Sequence, residues 1–481
     1  MTHVVHTWRI VQPPIWALIV AAAASALSSC AVGPLPQAPS VETQGLAPSF
    51  RASMDIGPTT PPEQWWRRFN DPVLLSLIDQ GLKANSDVAV ATLRLRQARA
   101  NLVASQGAFW PSLGASVGRS RSEGSHGLPA TNLTQTSITA AYELDLFGGT
   151  RRAVTAARAD RDSVAETRRS TAISVSAEIA LNYVQARAAT RRLELATNSL
   201  AAQADTLQLV RWRAMAGLAS DVEVEQAAQL YAQTQSTLPD LRQLIDGAFN
   251  RLSTLTDATP GRIAEQLTGA ADVPVAPMPE VSIPVDALRQ RPDVRVAERT
   301  VVAELARVGV REAALLPALT LGGSYSGAGV NWAAATAAPT LQLTGLLAAS
   351  LFRGGQDWAA LESQKAAAAA AAATYRGVVH AAMEDLENAL LTVRASREKA
   401  VALADADQAA QRALELARLR YQSGLIDFQS LLDTERTALT SAQSLIQSQA
   451  DRATAAIRLY KALGAGGLDP TGPRVSERSD R

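Results

Sequence analysis

The chain is poor in cysteine, histidine and aromatic residues: its 481 residues include one Cys and four His, and Phe, Trp and Tyr make up 5%. A single cysteine excludes an intrachain disulfide. The histidines (His3, His6, His126, His380) are scattered and form no metal-ligand set. An excess of charge is missing too. The net charge is +1 and arginines are interleaved with Asp and Glu, which excludes the basic footprint of a nucleic-acid binder. Beyond the N-terminus, no apolar run reaches the roughly 18 residues of a membrane-spanning helix. Gly-x-Ser-x-Gly, a Walker lysine and His-Glu-x-x-His are all absent. The glycine clusters at Gly464–Gly467 and Gly322–Gly329 stand at a helix end and a strand end, not at the start of a helix, so neither suits a phosphate. No enzyme, cofactor or metal is expected.

Proline and internal glycine are also missing from the longest feature. From about Thr150 to Met215 the residues are mostly Ala, Leu, Arg, Glu and Gln, strong helix formers, and the run stops at Gly217. Leu193, Leu200, Leu207 and Ala214 recur every seven residues, with Ala196 and Val210 three after members of that series. That is the seam of a coiled coil. About 66 residues predict a rod of about 100 Å, so an elongated protein is expected. A second proline-free helical run extends from about Gly355 to Gln422 and stops at Gly424.

The two runs belong to a tandem duplication. RWRAMAGLASDVEV around Gly217 aligns with RLRYQSGLIDFQSL around Gly424, and AFWPSL aligns with ALLPAL, where Pro317 minus Pro111 is 206. Asn85-Ser86-Asp87-Val88 matches Arg291-Pro292-Asp293-Val294, and Glu178 matches Glu384. Such a period predicts two copies of one unit, over 64–256 and 287–464. Residues 257–286, rich in Pro and Gly, join them, and a loop this long is expected to carry irregular structure. Returning helices are expected over about Asp221–Leu255, bent at Pro239, and about Phe428–Leu463, stopped by Gly464. Residues 465–481 read as a disordered tail.

The N-terminus, residues 1–29, has the design of a signal peptide: Arg9, an apolar stretch from Ile15 to about Ala26, then Leu27-Ser28-Ser29-Cys30. The lone cysteine at the cleavage point is the pattern of a lipoprotein box, with Cys30 acylated; the other reading is an ordinary signal peptide with an incidental cysteine. Residues 30–63 are Pro-rich and read as a tether. Order is expected from Trp65-Trp66, with Asp71-Pro72 as N-cap and N1 of a helix, or pair of helices, reaching about Trp110.

After Pro111 the period becomes two. Leu113, Ala115 and Val117 alternate with Gly114, Ser116 and Gly118; then Ile138, Ala140, Tyr142, Leu144 and Leu146 alternate with polar residues. Leu319, Leu321 and Tyr325, and later Leu341, Leu343, Leu347 and Leu351, repeat the pattern. Strands are predicted at about 112–121, 136–147, 318–327 and 340–352. Segments of about ten residues with one apolar face suit a transmembrane barrel. A soluble sheet would need a partner layer, and the other long segments are already helices. Four strands close no barrel and open edges cannot sit in lipid, so the barrel must be shared: eight strands from a dimer, or twelve from a trimer.

Taken in order, Cys30-Ala31-Val32-Gly33-Pro34, Trp65-Trp66 with Asp71-Pro72, and Glu143-Leu144-Asp145-Leu146-Phe147-Gly148 resemble a known family, as do Arg291-Pro292-Asp293-Val294 with Ala297-Glu298, the Arg420-Tyr421-x-x-Gly424 turn, and Leu459-Tyr460-Lys461-Ala462-Leu463-Gly464. The chain resembles a TolC-like outer-membrane factor of the lipoprotein (NodT) branch. It departs at Leu35-Pro36, where an aromatic is common, and at Gly464–Leu468, where Gly-Gly-Gly-Trp is usual. The resemblance implies a mostly α-helical fold with a membrane β-barrel part. Long α-hairpins would form a trimeric helical tunnel, with four strands per chain in a shared twelve-stranded barrel. It implies a homotrimer in the outer membrane of a Gram-negative bacterium, lipid-anchored and extending into the periplasm. The protein would be the passive exit duct of a tripartite efflux pump, with a periplasmic adaptor and an inner-membrane pump of the resistance-nodulation-division class. The alternatives are the exit duct of a type I secretion system, a non-conducting scaffold spanning the envelope, and an adaptor. The resemblance also places Gly217-Leu218 and Gly424-Leu425 at the periplasmic tip, where the adaptor docks. The bland reading is helix-stop glycines. Around them it implies a gate of Glu223, Tyr421 and Asp427. Three copies of each carboxylate near one axis would call for counter-charge from Arg213 or Arg420, bound cations or raised carboxyl pKa values. Ile426 stands where a family member has arginine, so the family's ionic lock does not carry over. The bland reading is solvated tip residues.

Overall fold

A computed structural model of the chain describes residues 33–40, 64–123, 130–269, 272–275 and 288–466. The signal segment, Cys30, most of the tether, half of the Pro/Gly-rich joint and the tail past residue 466 lie outside the described residues. The helices are α1 (Pro72–Ala84), α2 (Ser86–Gly107), α3 (Gly149–Met215), α4 (Asp221–Thr256), α5 (Pro260–Leu267), α6 (Pro292–Ala313), α7 (Trp332–Ala337), α8 (Gln356–Gln422) and α9 (Phe428–Ala462). The strands are β1 (Ser112–Ser122), β2 (Thr131–Leu144), β3 (Ala318–Gly329) and β4 (Thr340–Ala348). None of the described helices is long and apolar enough to cross a membrane. The chain divides into two units: Met1–Pro39, Arg96–Ser163 and Ala297–Tyr375 in one, and Ser40–Leu95, Val164–Val296 and Arg376–Arg481 in the other.

The first unit holds an antiparallel sheet in the order β1-β2-β3-β4, so β1 and β4 are both edge strands. Its register sorts the side chains by chemistry. Leu113, Ala140, Gly323 and Leu343 form one row across the sheet, and Ala115, Ile138, Tyr325 and Leu341 form another on the same face. The opposite face carries rows such as Ser116, Ser137 and Ser326 and, beside it, Thr139, Ser324 and Gln342. Leu113, Ile138, Tyr325, Leu341 and Leu343 are exposed on the apolar face. The strand limits differ from expectation at both ends. β2 starts at Thr131 rather than 136 because Thr131–Gln135, polar but for Leu133, pair with Gly118–Ser122. β2 and β4 stop short, leaving Leu146 and Leu351 beyond them, and α7 interrupts the second loop, capped by the Asn331 side chain accepting from Ala334 N at 2.9 Å.

The second unit is a set of helical hairpins. Along α3, Ala196 and Val210 are fully buried and Leu207 nearly so, with Leu193 and Leu200 half-buried, so the seven-residue seam is the packed face. Pro239 does not end α4, although its ring leaves the Gln235 carbonyl without an intrahelical donor. The largest core gathers Trp65, Trp66, Phe69, Tyr183, Leu252 and Tyr460, with the Trp65 and Tyr460 rings stacked at 5.2 Å. Asp71 caps α1 by accepting from Val73 N and Leu74 N at 3.0 and 3.1 Å. Its other oxygen accepts from the buried Tyr183 hydroxyl at 2.5 Å, and Arg187 donates to that hydroxyl and to the carbonyls of Leu267 and Gly269. Burial, then the Asp71 hydrogen bond, drives the Tyr183 pKa far above its ordinary value.

The duplication shows in one matched pair of contacts. Asn85 splits α1 from α2 and caps α2, and its amide donates to the Leu255 carbonyl at 3.1 Å. At the matching place Arg291 donates to the Ala462 carbonyl at 2.9 Å, near the end of α9. The same carbonyl is held by a neutral amide in one copy and a cation in the other. Arg291 also holds Asp293 at 2.6 Å and Asp385 at 3.2 Å. Burial opposes the charge on Asp293, but the hydrogen bond and charge of Arg291 outweigh it and keep its pKa below the usual carboxylate value.

Candidate functional site

Both hairpin turns are built alike. Leu218 N donates to Arg213 O at 2.8 Å and Gly217 N to Ala214 O at 2.9 Å; Leu425 N donates to Arg420 O at 2.8 Å and Gly424 N to Tyr421 O at 3.0 Å. This double bond pattern is the Schellman motif, which needs a left-handed residue after the helix. Gly217 and Gly424 supply it with φ of 74° and 69°. A Cβ at either would meet open space, so backbone conformation and not crowding selects glycine there. Each returning helix is then capped, α4 by Ser220 accepting from Glu223 N at 3.4 Å and α9 by Asp427 accepting from Ser430 N at 2.7 Å. Leu218 and Leu425 are exposed, along with Trp212, Met215 and Val222 of the first hairpin.

Under the turns lies a core of Leu207, Val210, Ala227, Ala417, Tyr421, Phe428, Leu431 and Leu432, drawn from all four hairpin helices. Tyr421 is buried, its ring 5.5 Å from that of Phe428, and the Arg213 guanidinium lies over it at 5.0 Å. Its hydroxyl is buried without a hydrogen-bond partner among the described residues. Burial pushes the Tyr421 pKa up, the Arg213 charge pulls it back and the Glu223 charge adds to the rise. The structure thus brings Arg213, Tyr421 and Glu223 into electrostatic contact. Asp427 and Arg420 stay outside that cluster: Asp427 is spent on its cap, and Arg420 makes no ion pair among the described residues. The side-chain and backbone bonds to Ser430 hold the Asp427 carboxyl below its usual range, so a raised pKa is not how this carboxylate is accommodated within the chain.

One tip residue was missed. Glu435 is buried, paired with Arg418 at 3.2 Å and otherwise unsatisfied at its second oxygen. Burial raises its pKa, and Arg418 offsets the rise only in part. Its signal was an acid at a core position of α9, in line with Phe428, Leu431, Leu432 and Ala438. No group of three or more potential metal ligands occurs among the described residues.

Open-edged sheet and paired long hairpins frame what the comparisons find. The outer membrane efflux protein family matches twice, over residues 77–257 and 283–465. The chain belongs to that family. The pyoverdine export outer membrane protein OpmQ of Pseudomonas aeruginosa is 31% identical over 84% of this chain and 87% of its own. Nodulation protein T of Rhizobium leguminosarum bv. trifolii is 30% identical over the same shares. The solved structure of the outer-membrane channel OprN superposes with a TM-score of 0.81 at 29% identity, covering 91% of this chain and 99% of that one. The efflux protein is therefore an outer-membrane channel, the exit duct of an efflux system, and not an enzyme. Its fold is mostly α-helical with a small four-stranded open sheet, the TolC-like channel architecture.

Proposed function

We infer that this channel works as a homotrimer of the lipoprotein (NodT) branch and receives substrates from a periplasmic adaptor and an inner-membrane pump of the resistance-nodulation-division class. The carrying observation is the sheet. Its apolar face is exposed and both outer strands, β1 and β4, are edges. Open edges cannot be satisfied in lipid, so the barrel is completed by other copies. Three copies of four strands make a closed barrel of twelve, and the long helices of three copies form a tunnel in the periplasm. Likeness to nodulation protein T supports the branch. Cysteines placed on β1 and β4 are expected to crosslink neighbouring copies into a heat-modifiable trimer; crosslinks that stop at dimers would instead favour an eight-stranded barrel. The sequence Leu27-Ser28-Ser29-Cys30 supports lipid anchoring through Cys30. Labelled palmitate incorporated by the wild type and lost in Cys30→Ser would bear this out, and equal labelling would remove it.

The adaptor's contact is assigned to the exposed apolar tips, Gly217-Leu218 and Gly424-Leu425. The closed state is assigned to Tyr421, Glu223 and Asp427, with Arg213 and Arg420 as counter-charges between copies. Tyr421 lies in the core beneath both turns with the Arg213 guanidinium over its ring, which supports a part in holding the tip together. Gly217→Asp with Gly424→Asp is expected to abolish adaptor crosslinking in cells while trimers persist. Tyr421→Ala with Asp427→Ala is expected to raise resting conductance in planar bilayers. Wild-type conductance in the double variant would put the constriction elsewhere.

A further inference from the structure

Among the described residues three arginines are buried: Arg152, Arg187 and Arg291. Arg187 donates to the carbonyls of Leu267, the last residue of α5, and of Gly269 just past it, and Arg291 to those of Ala462 at the end of α9 and Ala382 within α8, so each ties a helix end to its surroundings. Arg152 has the same manner of bonding but a different client. Its guanidinium donates to Pro34 O at 2.9 Å and to Gly33 O at 3.2 Å, across more than a hundred residues of chain. Among the described residues it pairs with no carboxylate. A buried cation without a counter-ion is costly unless its donors are satisfied, and here the acceptors are the tether's carbonyls. The position is also poor for a cation on local grounds. Arg152 stands in the first turn of α3, at the positive end of the helix dipole.

The seat is shaped as well as charged. Gly33 has φ of 110°, a conformation other residues resist. A Cβ there would lie 2.7 Å from Gly309 Cα and 3.1 Å from Glu312 Oε2. A Cβ on Gly309 would in turn press on the Arg152 side chain at 3.2 Å. Two glycines therefore touch backbone to backbone with the arginine laid across them. The seat belongs to the sheet's end of the chain: Arg152 follows the last residue of β2 by eight positions, and Gly309 precedes the first of β3 by nine.

We propose that Arg152, Gly309 and Gly33 form a seat that fixes the lipid-bearing N-terminus beside the helix–strand junction, so that its acyl chains enter the leaflet next to the sheet they help to insert. This rests on the lipoprotein reading of Cys30. Cys30 stands three positions before Gly33, so the anchor lies within about 11 Å of the seated Gly33. The seat acts by placement and takes no part in acylation.

The test uses the full-length protein in outer membranes, with palmitate labelling, protease sensitivity of residues 33–40, and the half-time of heat-resistant trimer formation in pulse-chase. Gly33→Ala is the cleanest variant, because it obstructs the seat from the tether without touching a helix; Arg152→Ala and Gly309→Leu attack it from the other side. Expected are wild-type palmitate labelling, several-fold faster cleavage within residues 33–40, and several-fold slower trimer formation in all three. In a Cys30→Ser background the same changes are expected to slow trimers no further, since no anchor remains to be placed. Wild-type protease resistance in Gly33→Ala and Arg152→Ala would overturn the seat. Equal slowing with and without Cys30 would overturn its role in placing the anchor. Absence of palmitate from the wild type, with protease resistance still lost in the variants, would overturn the lipoprotein reading and with it the anchor's placement, leaving only a tether clamp.

Discussion

The two hairpin turns share a backbone and differ in what they put under it. Counting from the turn glycines, Arg213 matches Arg420, Ala214 matches Tyr421, Asp221 matches Phe428 and Ala228 matches Glu435. Both turns make the same Schellman bonds, so duplication preserved the fold of the tip. The second copy alone carries the two aromatics and the buried acid. Tyr421 and Phe428 fill a core that the first hairpin lines with smaller groups, and this explains why one arginine is engaged and the other is not. Arg213 finds a tyrosine ring across the tip; its counterpart Arg420 would face the matching alanine, which offers no ring. The duplicated tips thus share one backbone and divide their chemistry.

Substitution of the matched pair should break this symmetry most visibly. Phe428→Ala removes a buried ring packed on Tyr421 and is expected to cost about 3–5 kcal/mol locally. Asp221→Ala, at the matching exposed place, is expected to stay within about 0.5 kcal/mol. Hydrogen exchange of tip amides reads the difference; comparable loss of protection in both variants would mean the hairpins share the core equally.

Much of this comparison was readable in advance. The turn glycines, helix limits and apolar strand faces follow from local pattern, because a left-handed residue, a seven-residue seam and a period of two each leave a mark in consecutive residues. What escaped depends on residues far apart. Nothing near Arg152 signals that Gly33 will lie against Gly309, and nothing near Arg213 names Tyr421 as its ring. The early start of β2 escaped because its first five residues are held by pairing to β1, not by alternation. The resemblance named the candidate gate residues by their match to the family's turn flanks and offered Arg213 or Arg420 alike as counter-charge, whereas packing sets Arg213 over the Tyr421 ring.

Acidity sharpens the comparison next. Burial pushes the Glu435 carboxyl above its ordinary value, with Arg418 opposing. The folded tip therefore holds the proton more tightly than the unfolded chain does. The stability this contributes is fully present below the unfolded glutamate value and is lost as pH rises through the raised folded value. Tip protection in the second hairpin is expected to increase as pH falls from neutrality toward that range, and to become flat in Glu435→Gln. The first hairpin, with Ala228 in the matching place, has no such group. A pH response that survives in Glu435→Gln would assign the titration to another group.

The smallest expected difference lies in the helix caps. Ser220 and Asp427 occupy the same place after each turn, but the Asp427 oxygen stands 2.7 Å from its backbone donor and the Ser220 oxygen 3.4 Å. A carboxylate at a helix N-terminus also gains from the dipole, which a hydroxyl does not. The Ser430 bonds keep Asp427 ionised well into the acid range, since its carboxyl sits below the usual value. Asp427→Ala is therefore expected to fray the first turn of α9 more than Ser220→Ala frays that of α4, whereas Asp427→Ser should bring the two helices level. The readout is amide exchange at residues 428–431 against 221–224, at low salt where the dipole is least screened. Equal fraying in the two alanine variants would show that the shorter bond adds nothing, and that the second tip owes its distinct behaviour to its aromatics and its buried acid alone.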